Sequence, residues 1–74
     1  MKEYEIVTKN YNACGGPAHA QTRFEEMALN DPADYVKMKH GKEFEKFTFE
    51  TIGNQIIYRF DNGAVFYIYE FTEL

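Results

Sequence analysis

Gln55-Ile56-Ile57-Tyr58-Arg59-Phe60-Asp61-Asn62-Gly63-Ala64-Val65-Phe66-Tyr67-Ile68-Tyr69-Glu70-Phe71 sets two apolar, β-favouring runs around Asn62-Gly63. An Asn-Gly step between such runs is the strongest short-range hairpin signal. Residues 44–51 read as another strand, and Gly53-Asn54 can turn it into the hairpin. The C-terminal half is therefore expected to be a three-stranded meander, with strands at 44–51, 55–60 and 64–72. A two-residue loop at Asn62-Gly63 would pair Phe60 with Val65, Tyr58 with Tyr67 and Ile56 with Tyr69. One at Gly53-Asn54 would pair Thr51 with Ile56, Phe49 with Tyr58 and Phe47 with Phe60.

Side chains alternate between the faces of a sheet, so these turns sort the meander. Phe47, Phe49, Ile56, Tyr58, Phe60, Val65, Tyr67, Tyr69 and Phe71 share one face, the expected core. Lys46, Thr48, Glu50, Gln55, Ile57, Arg59, Phe66, Ile68 and Glu70 share the other. There, Ile57, Phe66 and Ile68 form an apolar island among charges.

Upstream of the meander, Asp31-Pro32 marks a helix start. Asp31 suits the N-cap, Pro32 the first helical position and Asp34 the first turn. Lys37, Lys39 and His40 suit the C-terminal end, and Gly41 the residue beyond it. A short helix over 32–40 follows, with Ala33, Val36 and His40 along one side and Tyr35 and Met38 beside it. Residues 2–9 read as a strand and 10–17, with Gly15-Gly16-Pro17, as a loop. Residues 18–30 are divided. Their helix formers tilt the reading towards a helix with Ala20, Phe24, Met27 and Ala28 on one face. Thr22, Phe24 and Ala28 would equally line one face of a strand returning along 2–9. The fold class is α+β: a single domain over 1–74, with four to five antiparallel strands packed on one face by one or two short helices.

Composition bounds the function. Seventy-four residues bury only about 60% of the surface that the unfolded chain exposes, so large side chains are needed, and seven Phe and six Tyr supply them. A net charge of −4 argues against general binding of a nucleic-acid backbone. Cys14 is the single cysteine, which excludes an intrachain disulfide and suits a cytoplasmic setting. Met1-Lys2-Glu3-Tyr4-Glu5 opens a strand-like run rather than an apolar signal core. No apolar run reaches the ~20 residues of a membrane span.

Each candidate site has a plainer reading beside it. Ile57, Phe66 and Ile68, with Arg59 among them, suit a protein partner or a second copy of the chain; alternatively, the N-terminal segment folds over them. Tyr58, Tyr67 and Tyr69 could rim a ligand cleft between helix and sheet, or lie at the core margin with their hydroxyls in water. Cys14, with His19 five residues on, could be an activated thiol or a small residue in a tight loop. Cys14, His19 and His40 lack a metal-site spacing, and no cofactor motif appears. Lys37, Lys39, His40, Lys42 and Lys46 could touch a nucleic-acid or acidic partner, or simply complement the helix dipole.

The leading expectation is a non-enzymatic, cytoplasmic interaction module that docks to a protein partner or to itself as a homodimer. A narrower version is an acidic inhibitor, of the kind a bacterium, phage or mobile element encodes, seated on a basic site of a nucleic-acid enzyme. The alternative is a small-molecule binder or minor enzyme built on the Cys14–His19 loop.

Overall fold

β-Branched and aromatic residues dominate the two ends of the chain, and both ends become sheet. The computed structural model describes residues 1–12 and 20–74. The elements run β1 (Lys2–Asn12), β2 (Gln21–Leu29), α1 (Pro32–His40), a 3-10 segment (Gly41–Lys46), β3 (Thr48–Ile52), β4 (Gln55–Asp61) and β5 (Val65–Glu73). The strands form one antiparallel sheet in the order β2-β1-β5-β4-β3. The α+β class, the C-terminal meander and the helix on one face are all present.

α1 starts and stops where its chemistry dictates. Ala33 N–H donates to Asp31 Oδ1 at 3.0 Å, Pro32 takes the first turn, and Gly41 at φ 58° ends the helix with its N–H on the Lys37 carbonyl. Pro32, Tyr35 and Val36 are buried, whereas Met38 faces solvent.

Four expectations change. Residues 21–29 form the strand returning along 2–9, the alternative reading, with Thr22, Phe24 and Ala28 on one face, and not the helix their composition favours. Lys2–Asn10 pairs residue by residue with Gln21–Leu29, so every second side chain of β2, Met27 and Leu29 among them, turns towards the core. The apolar stripe of a helix here would have been too thin to bury, and tertiary pairing outweighs propensities of a few tenths of a kcal/mol. The second change is at 44–47. The chain leaves α1 through a 3-10 segment, and β3 begins only at Thr48. This places the Phe44 and Phe47 rings back over the sheet, Phe47 stacked on Phe60 at 5.0 Å. Third, β1 extends to Asn12, beyond the expected loop start at residue 10.

The fourth change is in the register of the hairpin. Phe60 pairs with Tyr67, Tyr58 with Tyr69 and Ile56 with Phe71, two residues from the expected partners. Asn62 stands at the start of the turn, not in its centre. Its Oδ1 accepts from Ala64 N–H at 2.9 Å and Val65 N–H at 2.8 Å, and its own N–H donates to the Val65 carbonyl. Gly63, at φ 87°, is thus the first central residue of a Gly63-Ala64 loop, the position at which a type II′ turn needs glycine. A shift of two preserves the faces, so the division of the meander stands. At the other turn Thr51 pairs with Ile56 and Phe49 with Tyr58, as expected.

The core lies between α1 and the inner face. Tyr4, Ile6, Tyr35, Val36, Tyr58, Tyr69 and Phe71 form it, with Ile6, Val36 and Phe71 wholly buried. Phe71 takes the edges of Tyr4, Tyr35 and Tyr58 at centroid distances of 5.6–6.3 Å, which is the favourable T-shaped geometry. Phe49 shares this face but lies on edge strand β3, outside the cover of the helix, and is exposed.

Phe71→Ala is expected to cost about 3–5 kcal/mol of unfolding free energy, whereas Met38→Ala is expected to stay within about 0.5 kcal/mol. Urea titration followed by far-UV circular dichroism checks both. Equal losses would place the core elsewhere.

Candidate functional site: the uncovered sheet face

Because α1 lies over the inner face, the other side of the sheet carries no described segment. Its side chains fall into rows that follow the registers. Nearest the Gly63-Ala64 turn are Tyr11, Phe66 and Asp61. Next come Thr22, Lys9, Ile68, Arg59 and Thr48, and then Phe24, Val7, Glu70, Ile57 and Glu50. The row beyond holds Glu26, Glu5, Thr72, Gln55 and Ile52.

The sequence-predicted island therefore exists as one surface. Ile68 and Phe66 lie half-buried on β5, and Arg59 stands directly across from Ile68. Ile57 retains only 6% of its exposure, between Glu50 and Glu70 on the flanking strands. The N-terminal segment does not fold over the island. It enters the sheet as β1 and enlarges the patch. Tyr11 stacks on Phe66 at 4.8 Å with a 16° interplanar angle, and Val7 lies in the same row as Ile57. On β2, Phe24 is 73% exposed. Tyr11 and Val7 were missed because they join the patch through β1–β5, a pairing that spans the length of the chain, and Phe24 because the β1–β2 return is only an alternative reading of the sequence. Their shared face becomes readable once β1 is extended through Tyr11.

Charge on this face is graded. Lys9 reaches Glu70 at 3.7 Å, and Arg59 Nη1 meets Glu50 Oε1 at 2.5 Å. Both pairs are solvent-screened and contribute little stability, but they neutralise the middle row. Glu5 lies directly opposite Glu26, and neither makes an ion pair among the described residues. Like charges facing each other across a ladder weaken it. The face is thus cationic and aromatic towards one end and acidic towards the other.

A shallow depression of about 430 Å³ opens at the cationic end. Phe66 and Ile68 form one wall, Lys46 and Thr48 the other, and Arg59 and Asp61 the floor. Its lining is mainly apolar and aromatic, with Lys46 and Arg59 as its cations.

The remaining candidates lie elsewhere. Tyr58, Tyr67 and Tyr69 face α1, where Phe44, Phe47, Tyr35 and His40 occupy the space above them. The Tyr69 hydroxyl meets His40 Nε2 at 2.5 Å instead of reaching water. Burial pushes the Tyr69 phenol up to about 12 and the His40 imidazole below its ordinary 6.5. Both groups are held neutral, and in the Nδ1-protonated tautomer of His40 the phenol donates to Nε2. Burial, and then the 2.7 Å bond that its hydroxyl donates to Glu25 Oε1, raises Tyr35. The Thr8 hydroxyl, buried beside it, makes no well-formed hydrogen bond of its own and opposes that rise only weakly.

Lys37 and Lys39 lie over the rings of Phe44 and Tyr35, at 5.1 and 5.4 Å, so part of the basic cluster packs on the chain's own aromatics. Cys14 and His19 lie outside the described residues. Among the described residues no three metal-ligating side chains converge, and no helix is long and apolar enough to cross a membrane.

The His40–Tyr69 pair gives the fold two pH limits. The folded pKa of His40 is depressed, so its contribution is present above 6.5 and is lost as pH falls through the lower folded value. The folded pKa of Tyr69 is raised, so its contribution is present below the ordinary 10 and is lost as pH rises from there to about 12. Urea midpoints measured from roughly pH 5 to roughly pH 11 are expected to fall at both ends. His40→Gln should flatten the acid limb, and Tyr69→Phe should shrink the alkaline limb, to which the raised phenols of Tyr35 and Tyr58 also contribute. Limbs unchanged by either substitution would assign them to other groups. No protein-family model matches the chain, and comparison with curated proteins and with solved structures yields no significant match.

Proposed function

We propose that the chain is a non-enzymatic, cytoplasmic protein-interaction module that docks through the outer face, centred on Ile57, Phe66, Ile68 and Arg59. The observation that carries this reading is a sheet face five strands wide. It bears Phe24, Val7, Ile57, Ile68, Phe66 and Tyr11, with no described segment over it. Apolar side chains grouped on an uncovered sheet face, here interleaved with paired charges, suit an interaction site.

The depression between Phe66 and Thr48 adds a place for an anchoring side chain. Anchors of this type, seated in desolvated pockets and ringed by polar contacts, carry most of the energy of an interface. The Lys9–Glu70 and Arg59–Glu50 pairs provide such a polar ring. The buried polar pair, His40 with Tyr69, reads as core chemistry: both groups are held neutral beneath the helix.

The test is capture by an immobilised chain from native lysate, with untagged copies of the same chain added. Wild type and Met38→Glu, which changes an exposed residue of the helix side, should retain the same partner. Ile68→Glu should lose it by about tenfold or more, with an unfolding midpoint close to that of wild type. Undiminished capture by a folded Ile68→Glu variant would remove the outer face from the function.

A further inference from the structure

We propose that the occupant of the outer face is a second copy of this chain, packed face to face with its strands reversed about a two-fold axis running across the strands. The proposal rests on the reading of that face as a docking surface and names its partner.

The argument is one of self-complementarity. A two-fold axis lying across the strands near the Phe24–Val7–Glu70–Ile57–Glu50 row sets one end of the face against the other end of its copy. The row on the turn side of that axis carries Lys9 and Arg59, and the row on the far side carries Glu5 and Glu26. Lys9 of each copy then faces Glu5 of the other. The carboxylates that remain near the axis, Glu70 and Glu50, are already paired within their own chain to Lys9 and Arg59. Apolar side chains meet along the axis, Phe24 against Phe24 and Val7 against Val7, with Ile57 already covered by Glu50 and Glu70.

A further fit concerns Ile52. It is 55% exposed on β3, in the acidic-side row, on the outer face. The reversal carries it towards the depression between Phe66 and Thr48 of the other copy, a socket of suitable character and size. The alternative axis, parallel to the strands, would set cationic row against cationic row and Glu row against Glu row.

The strands, from five residues in β3 to eleven in β1, present a footprint of roughly 650 Å² at about 4.8 Å between strands and about 3.3 Å per residue. Stable interfaces take about 600–1,000 Å² from each partner, so this face lies at the lower end of that range. Sheets pack in this manner about 10 Å apart and at about −30°.

Sedimentation equilibrium on the full chain tests this by charge exchange. Wild type should show two chain masses at high micromolar concentration. Lys9→Glu sets Glu against Glu5 at both symmetry-related contacts, and Glu5→Lys sets Lys against Lys9. Each variant alone should therefore dimerise about tenfold more weakly. Mixed in equal amounts, the two variants restore both contacts and should recover the two-chain mass. The two positions are four residues apart on one strand, roughly 13 Å, so recovery cannot arise within a chain. Unfolding midpoints of both variants, measured beforehand, separate loss of docking from loss of fold.

A wild-type mass of one chain at millimolar concentration would overturn the proposal. If Ile68→Glu still abolished capture of another protein, the docking reading would survive and only the identity of the partner would fall. A wild-type dimer indifferent to both charge reversals, yet split by Arg23→Pro on edge strand β2, would also overturn it in favour of edge pairing. A dimer weakened by each reversal but not recovered in the mixture would overturn the reversed arrangement.

Discussion

The pairing of β1 with β5 is the contact on which the rest of the structure depends. It runs from Tyr4 opposite Glu73 to Asn12 opposite Val65, and so joins the first strand to the last. Without it the chain would be a hairpin and a meander, each too small to hold a core alone. With it, Ile6 and Phe71 lie side by side, both wholly buried, at the centre of the inner face. Closing so long a loop costs entropy that short-range pairing does not. The aromatic packing of Tyr4, Tyr35 and Tyr58 around Phe71 offsets that cost.

The same pairing builds the outer face. It brings Tyr11 onto Phe66 and Lys9 beside Ile68, turning a three-residue island into a surface five strands wide. A sheet has two faces, and the helix of this chain covers one. The asymmetry is chemical as well as geometric. Polar groups beneath the helix are mostly matched, Tyr69 with His40 and Tyr35 with Glu25. On the outer face Glu5 is set against Glu26, an arrangement that folding alone does not favour. Local conflict of this kind tends to concentrate where a surface serves something other than stability.

How much of this could be read in the sequence follows from the range of each interaction. Asp31-Pro32 and Gly41 bound α1 through contacts within a turn, and they were legible. The Gly53-Asn54 pairing was legible for the same reason. The faces of β4 and β5 were too, because a two-residue error in the turn leaves side-chain alternation intact. Residues 21–29 stood divided between helix and returning strand because Glu25, Glu26, Met27 and Leu29 favour a helix locally, while their partner strand lies on the far side of residues 13–19. The outer site was half legible: Ile57, Arg59, Phe66 and Ile68 follow from the meander. Tyr11 and Lys9 follow only from β1–β5 pairing, which no local signal announces, and Phe24 from the β1–β2 return, which the sequence offers only as an alternative. The bond between His40 and Tyr69 was likewise hidden, since it depends on where α1 lies across the sheet.

The most direct measurement is the broadening of side-chain resonances by a soluble paramagnetic probe, recorded across a dilution series. In the dilute chain the methyl signals of Ile68 should broaden strongly and those of Ile6 should not. As concentration rises, Ile68 should become shielded while Met38, on the helix side, stays open. Ile68 shielded at every dilution would mean that the chain itself covers the face. Ile68 equally exposed at every concentration would contradict a face that is completed by a second copy.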